Sequence, residues 1–242
     1  MPILASSKQH DPNQIVLAFD VYGTLIDPFH MEEHLAAAFG DKAKQASELW
    51  RSKQLEFSFR RALMKKYQDF NVCTAQALQL VCEQFRIPLS ETEQQALLGQ
   101  YSRIPAYPDA AAALKLLHQA GYGMVACSNG TEKAVHGLLE HAKLSPYIRE
   151  IVSVDGIRTF KPDPAVYEYL VERSHVKKEM VWMISSNPFD VIGAKSSGLR
   201  TAWVQRDAKR VFDPWEFKSD IVVGGLEKLE LDRKSTRLNS SH

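Results

Sequence analysis

The sequence predicts an α/β protein with a doubly wound parallel sheet and an inserted all-helical cap domain. Short apolar runs recur along the 242-residue chain, and the first is continuous rather than alternating, as in strands buried on both faces. Amphipathic stretches of helical period separate the later runs, which is the alternation typical of βαβ units. A long helical segment lies between the first run and the second, where a βα connection is normally short.

The apolar runs predict six strands. The first covers residues 15–19, and the others cover residues 122–127, 150–154, 181–184, 201–204 and 221–223. Helical stretches that precede the second to fifth strands cover residues 109–119, 131–141, 164–173 and 188–197. Such helices are the crossover connections that parallel strands need. We therefore expect a discontinuous α/β core domain that is formed by residues 10–26 and 103–231.

The segment between the first two strands predicts the cap. Four stretches of helical period fall at residues 31–39, 43–67, 74–85 and 90–101. An insert that leaves from the carboxyl end of a strand overhangs the crevice in which open α/β sheets bind ligands. We therefore expect residues 27–102 to form a helical cap domain over an active site. Residues 232–242 have no apolar periodicity, and we predict that they form a disordered tail.

Composition and charge exclude several classes of function. Apolar residues make up 45% of the chain and charged residues 24%, the usual mix of a globular protein. The 30 Lys and Arg oppose 29 Asp and Glu, so no excess of positive charge favours a nucleic acid partner. The apolar runs are too short to span a membrane, and residues 1–14 lack a secretory hydrophobic region. Cys73, Cys82 and Cys127 have no metal-ligand spacing, which predicts reduced core thiols in a cytoplasmic protein.

Polar residues at four strand ends form the candidate active site. Asp20 directly follows the first strand, and Gly23 permits a sharp turn there. Ser128-Asn129-Gly130 ends the second strand, Lys161 follows the third, and the segment from Ser185 to Asp190 follows the fourth. Because ligands of open α/β sheets bind at the carboxyl ends of the strands, we expect these four clusters to meet in one site.

Each cluster also has a structural interpretation when it is taken alone. Asp20 belongs to a residue type that is common in turns, and Ser128-Asn129-Gly130 is ordinary turn chemistry. Asp163 and Asn187 are suited to cap the helices that follow them. Lys161 has no such interpretation, and a cation there suits the neutralisation of nearby carboxylates. The four clusters together, each placed after a strand, favour a catalytic site.

These clusters resemble the motifs of the haloacid dehalogenase (HAD) superfamily, and they are most similar to those of its L-2-haloacid dehalogenases (type II). The resemblance covers residues from about 15 to 229. The matching segments are Asp20-Val-Tyr-Gly-Thr-Leu25, Leu49-Trp-Arg-Ser-Lys-Gln-Leu-Glu-Phe57, Ser128-Asn129-Gly130, Phe160-Lys161-Pro162-Asp163 and Ser185-Ser186-Asn187. The second segment, in the cap, is the most family-specific. The resemblance implies a HAD-like (Rossmann-like) core with Asp20 as the nucleophile.

The same resemblance separates dehalogenases from the phosphatases of the superfamily. Those phosphatases carry a second aspartate, the acid for an alkoxide leaving group, where this chain has Tyr22, a poor acid near neutral pH. They also bind Mg²⁺ through a late acidic pair, where this chain has Asn187 and one acid, Asp190. A halide leaves without a proton. We therefore expect no catalytic metal and no cofactor, with Lys161 as the fixed positive charge.

A cationic residue of the cap is expected beside the leaving halide, and three arginines are candidates. The spacing of Arg61 from Phe57 and Met64 places it in an apolar stripe of the predicted helix. Arg60 is spaced to pair with an acid four residues earlier, as on an ordinary helix surface. The resemblance also carries the halide-binding role onto Arg61. We therefore predict Arg61 rather than Arg60 or Arg51.

The resemblance implies an (S)-2-haloacid dehalogenase that hydrolyses short 2-haloalkanoic acids through a covalent aspartyl ester, with inversion at C2. The catalytic residues that we predict are Asp20, Lys161, Asp190, Arg61, Thr24, Asn187 and Ser185. The substrate-binding residues that we predict are Tyr22, Ser128, Asn129, Tyr167 and Phe189. Relatives often have Trp in place of Phe189, which leaves the preferred substrate length open.

The expected partners are a small 2-haloacid and a second copy of the chain in a homodimer, with no nucleic acid and no membrane. Two other functions stay open at this point. One is a HAD-type phosphatase or phosphotransferase, against which Tyr22 argues. The other is a catalytically idle HAD-fold interaction protein, against which the intact set of Asp20, Lys161 and Asp190 argues.

Overall fold

Six parallel strands form the sheet at the centre of the protein. The computed structural model describes residues 15–231 and 238–240. The strands are β1 (Val16–Asp20), β2 (Gly123–Ser128), β3 (Glu150–Ser153), β4 (Val181–Ser185), β5 (Arg200–Val204) and β6 (Ile221–Val223). Their order in the sheet is β3-β2-β1-β4-β5-β6. The predicted parallel sheet is therefore confirmed, and each strand lies within one residue of its predicted bounds.

The central strand explains why the first apolar run is continuous. β1 pairs with β2 on one side and with β4 on the other, so that Phe19 lies opposite both Ala126 and Ile184. All five residues of β1 are buried. A strand that is covered on both faces has no solvent side, and alternation with polar residues would therefore be costly. The same pairing brings the carboxyl ends of β1, β2 and β4 to one edge of the sheet.

Four helices lie within residues 27–102, as the sequence predicts. They are α1 (Met31–Phe39), α2 (Ala43–Leu63), α3 (Phe70–Phe85) and α4 (Glu91–Tyr101). α2 ends at Leu63 rather than at residue 67, because the chain turns at Lys65 with a φ of 54°. α3 begins at residue 70 rather than at residue 74, because the Asp69 carboxylate caps it by accepting from two backbone N–H groups.

Buried hydrogen bonds join three helices of this insert. The indole Nε1 of Trp50 in α2 donates to the carbonyl of Thr74 in α3 over 2.9 Å. The hydroxyl of Tyr101, at the end of α4, donates to Oε1 of Gln54 over 3.0 Å. Gln54 is fully buried, and its amide also reaches the Thr74 hydroxyl. The family-specific segment of the sequence thus supplies polar contacts that fix how the insert packs.

Helices cover both faces of the sheet. They are α5 (Ala110–Gln119), α6 (Glu132–His141), α7 (Pro164–Ser174) and α8 (Pro188–Ser196). Alternate residues of β1 face two different hydrophobic clusters, with Leu17 and Phe19 in one and Val16 and Ala18 in the other. Asp163 is the N-cap residue of α7, as predicted. Its carboxylate accepts the N–H of Ala165, the second residue of that helix, over 3.0 Å.

The end of the chain differs in part from the prediction of a disordered tail. Residues 238–240 form β8 (Leu238–Ser240), which pairs antiparallel with β7 (Leu229–Leu231). Backbone pairing needs no apolar periodicity, which is why the pattern gave no signal for it. Residues 10–14, 232–237 and 241–242 lie outside the described residues. Within the described chain, no helix has the length and the apolarity that a membrane crossing requires.

Candidate active site

A tight turn after β1 sets the position of Asp20. The N–H groups of Leu25 and Ile26 both donate to the carbonyl of Val21, at 3.0 and 2.9 Å. Gly23 makes this turn possible, because its φ of 94° lies in the region that favours glycine. A Cβ at this position would also lie 3.2 Å from the amide of Asn187. The turn therefore holds the carboxyl end of β1 against the end of β4.

The two carboxylate oxygens of Asp20 have unequal surroundings. Oδ2 accepts from the Asn187 amide at 2.7 Å, the Thr24 hydroxyl at 3.0 Å and the Ser185 hydroxyl at 3.3 Å. Oδ1 accepts only from Nζ of Lys161, at 3.1 Å, among the residues that the structure describes. Asp20 itself is buried. One oxygen is thus held by three donors, and the other retains a lone pair beside a cation.

Lys161 is a buried cation that joins the two acids of the site. Its Nζ donates to Oδ1 of Asp20 at 3.1 Å, to Oδ2 of Asp190 at 2.9 Å and to the carbonyl of Cys127 at 2.8 Å. Burial alone would lower the pKa of Lys161, but the carboxylates of Asp190 and Asp20 outweigh it and raise the pKa well above its usual value. The side chain therefore stays positively charged at neutral pH.

Asp190 lies at the start of α8 and has a donor on each oxygen. Lys161 binds Oδ2, and the Tyr167 hydroxyl donates to Oδ1 at 2.9 Å. Complete burial raises the pKa of Asp190, and the Lys161 ammonium and the Tyr167 hydroxyl each offset part of that rise. A Cβ on Gly193 would lie 2.6 Å from the Tyr167 oxygen, so only glycine admits this contact. Tyr167 is thus fully buried, and its hydroxyl contacts the site by its hydrogen bond to Asp190.

The end of β4 brings Ser185 and Asn187 to the turn after β1. Asn187 was expected to cap α8, but its side chain makes no capping bond. Its amide instead donates to Asp20 and, over 3.0 Å, to the carbonyl of Tyr22. The N–H of Ser186 donates to the Thr24 hydroxyl at 2.8 Å. The Asn187 side chain therefore does not cap α8, because it is turned toward the segment after β1 and donates to Asp20 and Tyr22 there.

Ser128 and Asn129, at the end of β2, are both buried beside Lys161. The Ser128 hydroxyl accepts the N–H of Gly130 at 3.1 Å, as in an ordinary turn. Oδ1 of Asn129 accepts the backbone N–H of Lys161 at 2.9 Å. Asn129 therefore fixes the loop that carries the lysine. Its predicted substrate contact is not tested by this arrangement.

Two aromatic residues of the predicted site pack against the helical insert. The ring of Tyr22 lies 5.8 Å from that of Phe70 and 5.7 Å from that of Tyr101, by centroids. Burial raises the pKa of Tyr22 well above its usual value, and nearby Arg51 offsets only part of this. The ring of Phe189 meets that of Phe59 in α2 edge to face, with centroids 5.1 Å apart. Both residues thus lie where the insert meets the core.

The structure shows no contact between Arg61 and Asp20, and the predicted role of Arg61 at the halide gains no support from it. Its guanidinium donates to the carbonyl of Lys66 at 3.1 Å and to Oε1 of Gln76 at 3.0 Å, on the surface of the insert. The apolar stripe that selected Arg61 does not continue as a buried face, because Met64 is 59% exposed. The predicted surface pair of Arg60 with Glu56 is confirmed.

Arg51 is the α2 arginine that reaches the turn after β1. Its Nη2 donates to the carbonyl of Tyr22 over 3.1 Å. Its Nη1 is buried and makes no hydrogen bond within the part of the chain that the structure describes. An unpaired buried donor is costly and is usual only where a ligand or water completes it. In the sequence, the feature that points to Arg51 is its place in the family-specific segment from Leu49 to Phe57. The apolar spacing of the helix favoured Arg61 instead.

A groove of about 480 Å³ opens beside Tyr22. It lies between the insert and the core, and its lining includes Tyr22, Asp69, Thr74, Leu98, Tyr101 and Ala134. These side chains come from α3, α4 and α6 and from the turns beside them. A small molecule therefore has access to one side of Tyr22 without displacement of the core.

The acids of the site do not fit a magnesium ion, which related folds use. Mg²⁺ prefers several oxygen ligands in octahedral geometry. Here the Lys161 ammonium lies within 3.1 Å of both Asp20 and Asp190 and already balances their charge. Tyr22 and Asn187 supply no further carboxylate. Across residues 15–231 and 238–240, no three or more His, Cys, Asp or Glu side chains are grouped to hold a metal ion.

Comparison with known proteins gives a consistent result. A family model described as haloacid dehalogenase-like hydrolase matches residues 16–198. The chain is 35% identical over 190 residues to haloacetate dehalogenase H-2 of Moraxella sp. (strain B), covering 78% of this chain and 85% of that protein. It is 31% identical over 213 residues to (S)-2-haloacid dehalogenase 2 of Pseudomonas sp. (strain CBS-3). This match covers 88% of this chain and 93% of that protein.

Solved structures agree with these sequence matches. The L-2-haloacid dehalogenase of Xanthobacter autotrophicus with chloropropionic acid covalently bound superposes with a TM-score of 0.82 at 30% identity. The match covers 89% of this chain and 96% of that one. A second structure of the L-2-haloacid dehalogenase of Xanthobacter autotrophicus superposes with a TM-score of 0.83 at 31% identity.

Proposed function

Since this chain belongs to the haloacid dehalogenase-like hydrolase family, we propose that it hydrolyses the carbon–halogen bond of short 2-haloalkanoic acids, preferably the L enantiomer. The observation that carries the proposal is the pair of unequal oxygens on Asp20, with a fixed cation in place of a metal. Tyr22 stands where a phosphatase needs an acid, and burial keeps its phenol protonated. A halide leaving group has no use for that acid.

In the first step, Oδ1 of Asp20 attacks C2 of the substrate. Oδ1 has one donor, whereas Oδ2 is held by three, so Oδ1 keeps the freer lone pair. The new bond joins Oδ1 to C2, and the carbon–halogen bond breaks with its electron pair going to the halide. Backside attack inverts C2. The product of this step is an ester on Asp20.

Arg51 receives the departing halide. Its buried Nη1 is a donor without a partner among the described residues, and its charge favours a developing anion. The bond from Nη2 to the Tyr22 carbonyl ties this guanidinium to the nucleophile turn. The halide site is therefore positioned relative to Asp20 by one hydrogen bond between insert and core.

Ser128 is suited to hold the carboxylate of the substrate. Its oxygen accepts the N–H of Gly130, and a hydroxyl that accepts in this way still has its own proton to donate. The following helix, α6, adds the positive end of its dipole. Asn129 positions Lys161 in this scheme, and Tyr167 positions Asp190.

In the second step, water attacks the carbonyl carbon of the ester. Oδ2 becomes the carbonyl oxygen, and it already accepts from Asn187, Thr24 and Ser185. These three donors would stabilise the negative charge that develops on this oxygen. Asp190 takes one proton from the water and returns it to the alkoxide of the leaving 2-hydroxy acid, and the second proton is released to solvent when the new Asp20 carboxylic acid ionises. The oxygen from water stays in the Asp20 carboxylate.

The helical insert acts as a cap that keeps bulk water from the site. Tyr22 packs against Phe70 and Tyr101 of the insert, and Phe189 packs against Phe59. Exclusion of water strengthens the interactions of the carboxylate with its donors. Phe189 is smaller than the Trp of many relatives, so we propose that it leaves more room at this wall of the pocket.

A homodimer and a cytoplasmic location belong to the same proposal. Leu63 and Met64, at the end of α2, are 85% and 59% exposed. Two neighbouring apolar side chains at the surface of the insert are suited to contact a second copy. Light scattering on the purified protein should give twice the chain mass, and Leu63→Glu should shift it toward the monomer.

Two substrates in parallel test the activity. Halide release from (S)-2-chloropropionate, with the (R) enantiomer as control, should be rapid for (S) and near background for (R). Release of phosphate from p-nitrophenyl phosphate should be absent with or without Mg²⁺. Phosphate release that depends on Mg²⁺ would replace the proposal with a phosphatase. A folded protein that is inactive on both substrates would favour an interaction protein.

A further inference from the structure

Arg206 makes three contacts that the proposed reaction does not use. It follows β5 and is partly buried, with 21% of its side chain exposed. Its Nη2 donates to the backbone carbonyl of Thr24 over 2.7 Å, and its Nη1 pairs with the carboxylate of Asp109. The guanidinium also lies over the ring of Tyr107, with Cζ 4.1 Å from the centroid. The planar guanidinium stacks on an aromatic ring and donates hydrogen bonds in two directions, and a lysine ammonium cannot do both.

The three partners belong to the two segments that join the helical insert to the core. The outgoing segment follows Thr24, and the returning segment includes Tyr107. The N–H of Asp27 donates to the carbonyl of Pro105 at 3.0 Å, and the N–H of Tyr107 donates to that of Leu25 at 2.9 Å. These bonds form a short antiparallel ribbon of the two crossing segments. One side chain of the core thus holds both strands of the ribbon.

The core anchors this arrangement from a third direction. The carboxylate of Asp109 also accepts the N–H of Leu226 over 2.8 Å, near the end of the described core. On the other side, the Thr24 hydroxyl donates to Oδ2 of Asp20 at 3.0 Å and accepts from Ser186. The carbonyl that Arg206 binds and the hydroxyl that binds the nucleophile therefore belong to the same residue.

We propose that Arg206 is a positioning residue, which locks the insert's two crossing segments to the core and holds Thr24 in place beside Asp20. The first half of this inference concerns the fold alone. The second half rests on the proposed function, because it expects a kinetic effect on the attack by Asp20. A shift of the turn by a fraction of an ångström would misalign both Asp20 and the three donors on its Oδ2.

Arg173 provides a matched control. Its guanidinium also lies over a tyrosine ring, with Cζ 5.6 Å from the centroid of Tyr169, and it also pairs with a carboxylate, that of Glu150. These partners belong to α7 and β3, away from the crossing segments. Arg173→Ala therefore removes the same chemistry without touching the ribbon.

Hydrogen exchange tests the structural half without reference to activity. In Arg206→Ala, amides in residues 21–27 and 104–109 should exchange at least about tenfold faster than in the wild type, because local opening becomes easier. Arg173→Ala should leave these peptides unchanged. Arg206→Lys keeps the ion pair with Asp109 and should give an intermediate rate. Unchanged exchange of both peptides in a folded Arg206→Ala protein would overturn the proposal.

Steady-state kinetics on (S)-2-chloropropionate tests the second half. Arg206→Ala should lower kcat by about 10- to 100-fold, as small misplacements of reacting groups do. KM should change by less than about threefold, and added ethylguanidinium should restore part of kcat. Arg173→Ala should keep both constants. An unchanged kcat in Arg206→Ala would overturn the link to Asp20. An inactive wild type would instead refute the proposed function, while the exchange result still decides the role in the fold.

Discussion

At the scale of single residues, Lys161 balances the negative charge of the two acids in the site. Its ammonium satisfies one oxygen of Asp20, one oxygen of Asp190 and the carbonyl of Cys127. A buried ion pair contributes little net stability by itself, but the loss of one partner leaves the other charge uncompensated. Here one cation serves two acids, so its removal would leave both without a counter-charge.

Lys161→Met should therefore affect activity and stability together. We expect halide release to fall by at least about 100-fold, as when a positioned charge is removed. The free energy of unfolding at pH 7 should fall by about 3–5 kcal/mol. Lys195→Met is the control, since its pair with Asp220 is about one-third exposed and should contribute under about 1 kcal/mol. Halide assays and urea unfolding measure these effects, and near-normal turnover in Lys161→Met would contradict the role.

The pH dependence follows from the direction of the pKa shift of Lys161. A lysine whose folded-state pKa lies above its unfolded value of about 10.4 contributes stability fully below that value and loses it only as pH rises through the folded value. The pKa of Lys161 is raised. In the wild type, kcat should therefore show no descending limb from this residue between pH 7 and about 10.

The arginines of α2 give the second prediction at this scale. Arg51→Ala should lower kcat/KM for chloropropionate by at least about 100-fold, because the leaving chloride loses its stabilising charge. The loss should be smaller for bromopropionate, since bromide leaves more easily. Arg60→Ala and Arg61→Ala are controls on the same helix, and both should stay within about threefold of the wild type. The opposite ranking would show that α2 docks with another face toward Asp20.

At the scale of elements, α8 carries Asp190 and must pack closely on Tyr167. A Cβ on Gly193 would lie 2.6 Å from both the Tyr167 oxygen and Cβ of Pro162. Pro162 directly follows Lys161. The closeness of α8 to this loop therefore sets the distance between Asp190 and Lys161.

Gly193→Ala should destabilise the protein by about 1–3 kcal/mol, the usual cost of overpacking. It should also lower kcat, because Asp190 and Lys161 shift relative to each other. Gly137→Ala is the matched control in α6, where an added Cβ meets no atom within 4 Å. That substitution should be neutral or stabilise by up to about 1 kcal/mol, because alanine is the better helix former. Thermal unfolding compares the two, and equal effects would contradict the packing account.

The elements themselves were largely predictable from the sequence, and the docking of the insert was not. Continuous apolar runs fix β1, β2 and β4, and parallel strands bring Asp20, Lys161 and Asp190 to one edge. The face that α2 turns to the core depends on its contacts with distant segments, such as the bond from Arg51 to the Tyr22 carbonyl. Apolar spacing within α2 carries no information about such a contact.

At the scale of the whole molecule, the sheet and the insert meet around one set of charges. The strands deliver two acids and a lysine, and the insert delivers Arg51 and an aromatic wall. The core clusters on both sides of β1 leave this edge as the place where charged side chains are buried together among the described residues. The molecule is thus arranged to hold a balanced set of side-chain charges without an added cation.

Exhaustive EDTA treatment should therefore leave the initial rate of dehalogenation unchanged. The reason is that Lys161 supplies the positive charge that Mg²⁺ supplies in other enzymes. Rates measured in EDTA, in buffer alone and in millimolar Mg²⁺ should agree within error. Loss of activity in EDTA and its recovery with Mg²⁺ would contradict the account.

The central claim is that Asp20 forms a covalent ester and that water then attacks its carboxyl carbon. A single turnover in H₂¹⁸O, with enzyme in excess over (S)-2-chloropropionate, tests it most directly. Mass spectrometry of the peptide that contains Asp20 should find one ¹⁸O in its carboxylate, and the released lactate should be unlabelled and of the (R) configuration. Label in the lactate with none on Asp20 would mean that water attacks C2 directly, and it would contradict the covalent mechanism.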